Sequence, residues 1–259
     1  MKKILITTAL LTTLINATIN IEPKNVSDAN GWSADVGANA AYYTGNTEKS
    51  EYGINFRTEY GNGETYKHLL IGNYSYGESD DISSIENGKI HYRYTHKLSK
   101  KTDIEFFIQD EYDKFKNQKY NVGSGVNVRY SLINNYNGDL LFVGAGLMGT
   151  IENPYDITPK NDRREKIKAN LYTMAKLNIN KSTSISGIVF YQPIIANISD
   201  STNFDTGDYT IDGTIALNTN LTNDISFVTS ISYQRDSSPF EGVEEDDITL
   251  KFGLNYKIK

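Results

Sequence analysis

From about residue 32 to the C-terminus, polar and apolar residues alternate with a period of two. In residues 50–60, Ser50, Tyr52, Ile54, Phe56, Thr58 and Tyr60 fall on one face, and Glu51, Gly53, Asn55, Arg57 and Glu59 on the other. In residues 90–98, Ile90, Tyr92, Tyr94, His96 and Leu98 oppose His91, Arg93, Thr95 and Lys97; residues 104–112, 209–217 and 248–258 repeat the pattern. Such alternation predicts strands with one apolar and one polar face. Twelve segments carry it: 32–43, 50–60, 65–77, 88–98, 103–114, 120–132, 139–151, 164–178, 184–197, 208–220, 225–236 and 246–258. They exceed the five or six residues usual in soluble strands and suit a tilted membrane strand of about nine to eleven. The third, seventh and ninth are apolar on both faces, so alternation does not say which face turns inward.

The connections alternate as well. Gly61–Glu64, Ser99–Thr102, Ile133–Gly138, Ile179–Thr183 and Leu221–Asp224 are short. The intervening links, apart from Gly45–Lys49, are mostly longer: Glu78–Asn87, Glu152–Arg163, Ile198–Gly207 and Ser237–Glu245, with Phe115–Lys119 intermediate. Short turns on one side and longer loops on the other are the asymmetry of an outer-membrane barrel, and an even strand number puts both termini on the periplasmic side.

One face of the strands is too charged for a soluble core and the other too apolar for water. Turning the apolar face to lipid and the polar face to a lumen resolves both, and closure removes the unpaired edges that a bilayer forbids. The expected fold is therefore all-β: a transmembrane antiparallel barrel of about twelve strands in a closed up-and-down meander. Residues expected to line the lumen are Arg57, Glu59, Lys89, His91, Arg93, Lys97, Asp103, Glu105, Glu111, Arg129, Lys166, Lys168, Lys176 and Lys251. Segments four and five carry basic and acidic members, including Asp113, that can pair across a hairpin. They either fill the interior or set an ion preference.

The N-terminus adds a destination. Met1-Lys2-Lys3, an apolar run over 4–15 and the small Ala17 form a secretory signal peptide, too short to anchor. The mature chain then begins near Thr18, with residues 18–30 as a polar lead-in and 31–259 as the barrel. Removal of residues 1–17 takes the net charge from −6 to −8 (24 basic against 32 acidic side chains). An acidic protein is a poor nucleic-acid binder. Cysteine is absent, which excludes disulfides, thiolate metal sites and a cysteine nucleophile. The 19 tyrosines suit strands and membrane interfaces.

Candidate chemistry is sparse. Gly144-Ala145-Gly146-Leu147-Met148-Gly149 matches G-x-G-x-x-G, but no helix pattern and no acid about twenty positions on accompany it. These glycines are expected to relieve crowding within a strand. His68, His91 and His96 have no metal-binding spacing, although a serine–histidine–acid site is defined by geometry and stays open. The acidic stretches 78–81 and 244–247 lack calcium-loop order and read as solvated loops. No cofactor or catalytic residue is expected. Pro23, Pro154, Pro159 and Pro239 fall in links, while Pro193 falls late in segment nine and is expected at the outer rim, at a bulge. Lys251-Phe252-Gly253-Leu254-Asn255-Tyr256-Lys257-Ile258 has the order of the signal read by the barrel-assembly machinery, with Lys259 in place of the more usual terminal aromatic.

Gly31-Trp32, Thr44-Gly45-Asn46, Tyr92-Arg93-Tyr94, Gln109 to Phe115, Gly123-Ser124-Gly125 and Gly144-Ala145-Gly146 give the chain a resemblance to a known family. It resembles the YdiY-like salt-induced outer-membrane proteins, domain-of-unknown-function family 481, from about Gly31 to Lys259. The resemblance implies an outer-membrane barrel and supplies no activity. The leading expectation is a non-enzymatic envelope protein, either a narrow channel or a structural barrel, linked through the resemblance to salt response. Its partners would be outer-membrane lipid, the assembly machinery and small solutes or cations. A lipase-like outer-membrane hydrolase and a secreted soluble β-protein are the alternatives.

Overall fold

The computed structural model describes residues 23–43, 49–79, 82–158, 162–199 and 208–258. The expected signal peptide lies outside the described residues. Twelve antiparallel strands close into a barrel: β1 (Asn30–Tyr43), β2 (Lys49–Asn62), β3 (Tyr66–Ser79), β4 (Ile82–Lys97), β5 (Thr102–Asp113), β6 (Gln118–Asn134), β7 (Leu140–Pro154), β8 (Arg164–Asn178), β9 (Thr183–Asn197), β10 (Tyr209–Asn220), β11 (Ile225–Asp236) and β12 (Asp246–Ile258). Each strand pairs with its neighbours in sequence. The seam is made by Ala34–Ala38 of β1 against Leu254–Ile258 of β12.

Strand positions follow the alternation closely, with two corrections. The stretch Glu78–Asn87, expected as a long link, is mostly strand: β3 runs on to Ser79 and β4 starts at Ile82. A register shift between Gly77 and Glu78 and the consecutive Ser83 and Ser84 hide the period there. Pro154, expected in a link, is the last residue of β7, opposite Gln118, where no further ladder N–H is needed. Pro193 lies beside a register shift at the outer end of the β8–β9 pair, in accord with the expected bulge.

The barrel is inside-out relative to a soluble protein. Trp32, Ile54 and Ile248 are 74%, 58% and 76% exposed, whereas Glu105, Asn127 and Arg129 are 0%, 1% and 2% exposed. An apolar exterior of this size calls for lipid. Aromatic residues collect at both ends of it. Trp32, Tyr60, Tyr66 and Tyr94 form a contiguous cluster near one end, with His68 and His96 among them. Tyr52 with Tyr76 and Tyr191 with Tyr209 mark the other. From Tyr52 to Tyr60 the strand rises about 3.4 Å per residue; with a tilt of about 40° that corresponds to roughly 20 Å of membrane, close to the band of an outer-membrane barrel.

The five short turns share one device. Each has an Asn, Ser or Thr whose side-chain oxygen accepts backbone N–H groups two to four residues ahead. Asn62 holds Glu64, Thr65 and Tyr66; Ser99 holds Lys101 and Thr102; Asn135 holds Asn137 and Asp139; Asn180 holds Ser182 and Thr183; Thr222 holds Asp224 and Ile225. Such local bonds tighten a hairpin without help from tertiary packing. These turns share one rim with the start of β1 and the end of β12, the periplasmic rim by the loop-length rule.

Candidate functional site

Among the described residues, polar chemistry converges on the scale of a site in the lumen, and its layers are built differently. At the periplasmic mouth, residues 23–29 of the lead-in fold back inside. Val26–Asp28 make one 3-10 turn, with Val26 2% and Ala29 6% exposed. The Lys24 ammonium reaches Glu59 at 2.5 Å, and Arg57 donates to the same carboxylate at 2.6 Å. The Lys67 amine donates to the Lys24 carbonyl at 3.0 Å, and the Gly63 N–H to the Ala29 carbonyl at 2.7 Å. Asn25 bonds Asn134 on β6. A small cavity with about 40 Å³ of water-accessible space lies beside this segment, between Lys97, Asp103, Ser131 and Phe142.

The middle of the barrel is crossed by side chains. Glu105 on β5, wholly buried, lies 3.5 Å from the Arg93 guanidinium and 3.4 Å from that of Arg129. Arg129 also donates to Asp103 through Nη2 at 2.6 Å and Nε at 3.0 Å, and stacks over Phe142 at 4.5 Å. The Tyr172 hydroxyl comes from β8 to donate to Glu105, passing over two intervening strands. Gly144 makes that reach possible. A Cβ there would lie 2.2 Å from the Tyr172 ring. One at Gly146 would meet the Val126 carbonyl at 1.9 Å. The G-x-G-x-x-G stretch is thus strand β7, with its inward glycines clearing space for a ring and a neighbouring backbone. Asn170 donates to Asn127, and Gln192 to Asn170, extending the belt. On the far wall, Ala216, Val228 and Ser230 are equally shut from solvent.

Toward the outer rim, Glu152 receives Lys166 at 2.9 Å and Lys168 at 3.3 Å, and Lys89 pairs with Glu111 at 3.1 Å. Above them opens a vestibule with about 110 Å³ of water-accessible space. The link 237–245 is drawn inward over it. Arg164 donates to the carbonyls of Ser238 and Pro239 and lies 4.4 Å over the Phe240 ring.

All fourteen residues expected at the lumen occupy the inward register. Lys97 and Asp103 sit at the periplasmic cavity, Lys176 opposite Leu140 and Ser186, and Lys251 opposite Ser230. His91 faces inward and shares a hydrogen bond with Gln109. His68 and His96 face outward, bonded to Tyr92 and Tyr94. The three histidines therefore do not converge, and among the described residues no three acids or histidines are placed to hold a metal ion. Sequence reasoning missed Lys24, Lys67 and Tyr172. Lys67 lies on an ambiguous strand, but the inward parity of Tyr172 was readable from Lys166, Lys168 and Lys176.

The family model DUF481, "Protein of unknown function", matches residues 34–258. No curated protein sequence matches the chain. Among solved structures, the fold is similar to the NanC porin, with a TM-score of 0.50, 10% identity, and coverage of 87% of this chain and 100% of that one. The translocator domain of autotransporter NalP from Neisseria meningitidis aligns with a TM-score of 0.46, 8% identity, and coverage of 89% and 91%. The transport unit of the autotransporter AIDA-I from Escherichia coli gives 0.40, 8%, and coverage of 92% and 93%.

Proposed function

The chain belongs to the DUF481 family of proteins of unknown function, and from that premise we propose that it is a non-enzymatic barrel resident in the outer membrane whose lumen is shut at rest. The observation that carries this reading is the belt around Glu105. Two guanidinium groups and a phenol converge on one carboxylate with no solvent exposure, between two cavities that share no lining residue. An aqueous pore needs a continuous wet path, and paired buried charges are held by far more than screened ones. The periplasmic segment 23–29 supports closure a second time. The separation of the histidines weighs against the hydrolase reading.

Planar-bilayer recording of the refolded, inserted protein tests this. The expected trace is electrically silent at both low and high salt, because buried pairs are screened little. Steady discrete steps in the parent protein would overturn closure and favour the narrow-channel reading instead. Silence at low salt with steps at high salt would tie opening to the salt response that the family resemblance implies.

A further inference from the structure

We propose that the outer vestibule is a binding site for a small hydroxylated organic cation of the amino-sugar type, taken up from the outer side; the proposal rests on the closed, outward-facing barrel argued above. Its interior offers about 110 Å³ to the centres of water-sized molecules, room for several waters and so for one small sugar. Its roof is fixed, since Arg164 ties the link 237–245 inward and buries Phe240 to 6% exposure.

The lining specifies the ligand. Seven acidic and four basic side chains face the cavity, an excess of three acids. Every base is already committed: Lys89 to Glu111, Lys116 to Asp247 at 2.7 Å, Lys168 to Glu152, and Arg235 to Glu245 and Asp246 at 2.7 and 2.6 Å. Asp212 receives the Gln234 amide at 2.9 Å, and no ion pair reaches it among the described residues. The missing charge is therefore a cation. Chelation is not available, because no three acids or histidines among the described residues are grouped for a metal. Of the three lining acids left over, Asp236 ends β11 and Glu244 lies exposed in the link 237–245, so Asp212 on β10 is the carboxylate set within the wall to receive an ammonium.

The polar atoms ask for hydroxyl groups beside it. Asn121 and Thr150, the latter 4% exposed, line the vestibule from the adjacent strands β6 and β7, and Asn121 Oδ1 and Thr150 Oγ1 have no hydrogen-bond partner. Leaving such atoms unmet carries a desolvation penalty. A ligand rich in O–H donors meets them, and the amides of Gln109, Gln118 and Gln192 can orient the remainder.

The test is calorimetric titration of the folded full-length barrel with glucosamine, glucose and magnesium chloride. Saturable glucosamine binding is expected, at least tenfold tighter than glucose, with no magnesium heat. Asp212→Asn is expected to erase the preference for glucosamine, and Thr150→Val to weaken both sugars. Absence of saturable glucosamine binding in a sample that is electrically silent would overturn this proposal alone. Equal binding of glucose and glucosamine, or tighter binding of magnesium, would overturn it also. Steady conductance of the same sample would instead remove the closed-lumen reading and leave the binding result to be judged by the Asp212→Asn comparison.

Discussion

The inner and outer parts of the lumen use the same residue types to opposite ends. Around Glu105, carboxylates and guanidinium groups are 0–13% exposed and packed against Phe142, Tyr172 and the apolar patch they share with Leu140 and Met174. At the outer rim, the partners in the pairs Lys89–Glu111, Lys116–Asp247 and Arg235–Glu245 are 24–50% exposed. Removing one partner of a buried pair strands a charge in a poor solvent, whereas an exposed pair exchanges protein for water at little cost. The Lys166–Glu152–Lys168 group at the vestibule wall, 4–7% exposed, goes with the belt, so the belt and the exposed rim pairs differ less in chemistry than in hydration. The first is a fastener and the second a surface available to solutes.

The comparison breaks most sharply at its centre. Glu105→Ala leaves Arg93 without its carboxylate and Arg129 with Asp103 alone. It should cost about 3 kcal/mol of unfolding free energy in a lipid-refolded urea titration, and it should convert a silent barrel into one with measurable conductance. An unchanged midpoint would show that the belt is hydrated after all. Next in size is Gly144→Val, whose added carbons overlap the Tyr172 ring; overpacking of this kind costs about 1–3 kcal/mol. Combining it with Tyr172→Leu should recover part of the loss, and the double-mutant cycle measures how much of the belt runs through that contact.

How much of this was legible in the sequence depends on whether a feature is periodic. The strands were, because lipid on one side and a polar lumen on the other impose alternation on every segment. Segments three, seven and nine gave no facing because their inward positions include Leu69 and Ile71, Leu140 and Phe142, and Ile188 and Phe190. Together β7 to β9 supply an apolar sector against which the arginines stack, and alternation cannot register a lumen that is locally apolar. The inward charges were readable by type, but their partners were not. Tyr172 meets Glu105 across two strands, at a separation set by barrel curvature. The lead-in was unreadable for a different reason: seven residues without a period take their shape only from Glu59, Lys67, Gly63 and Asn134.

That segment provides a third, smaller contrast. Lys24 is 26% exposed while its partner Glu59 is 3% exposed and keeps Arg57 and Lys67. Lys24→Ala should therefore loosen the segment without unfolding the barrel, by about 1.4 kcal/mol. The chain has no cysteine, so Val26→Cys gives a single thiol reporter in the mouth. Its labelling rate should rise roughly tenfold when Lys24 is removed. Equal rates in the two backgrounds would show that Lys24 does not hold the segment in place.

The smallest effect is expected at Lys116, which bonds Asp247 and Gln234 from the short link between β5 and β6. Burial, the strongest influence on its ammonium, lowers its proton affinity. The hydrogen bond and charge of Asp247, with Asp113 and Glu111, outweigh that and hold it above the ordinary 10.5. A base whose folded value is raised contributes stability that is whole below its unfolded value and is lost as pH rises through the folded one. The contact should thus be constant from pH 5 to 8 and fade only in strong alkali. With the two side chains 30% and 46% exposed, Lys116→Met should cost less than about 1 kcal/mol at neutral pH, and about 1 M salt should erase the difference, since screening then acts within roughly 3 Å. A loss near that of Glu105→Ala, or one indifferent to salt, would mean that the vestibule is sealed in solution and that the contrast in hydration is false.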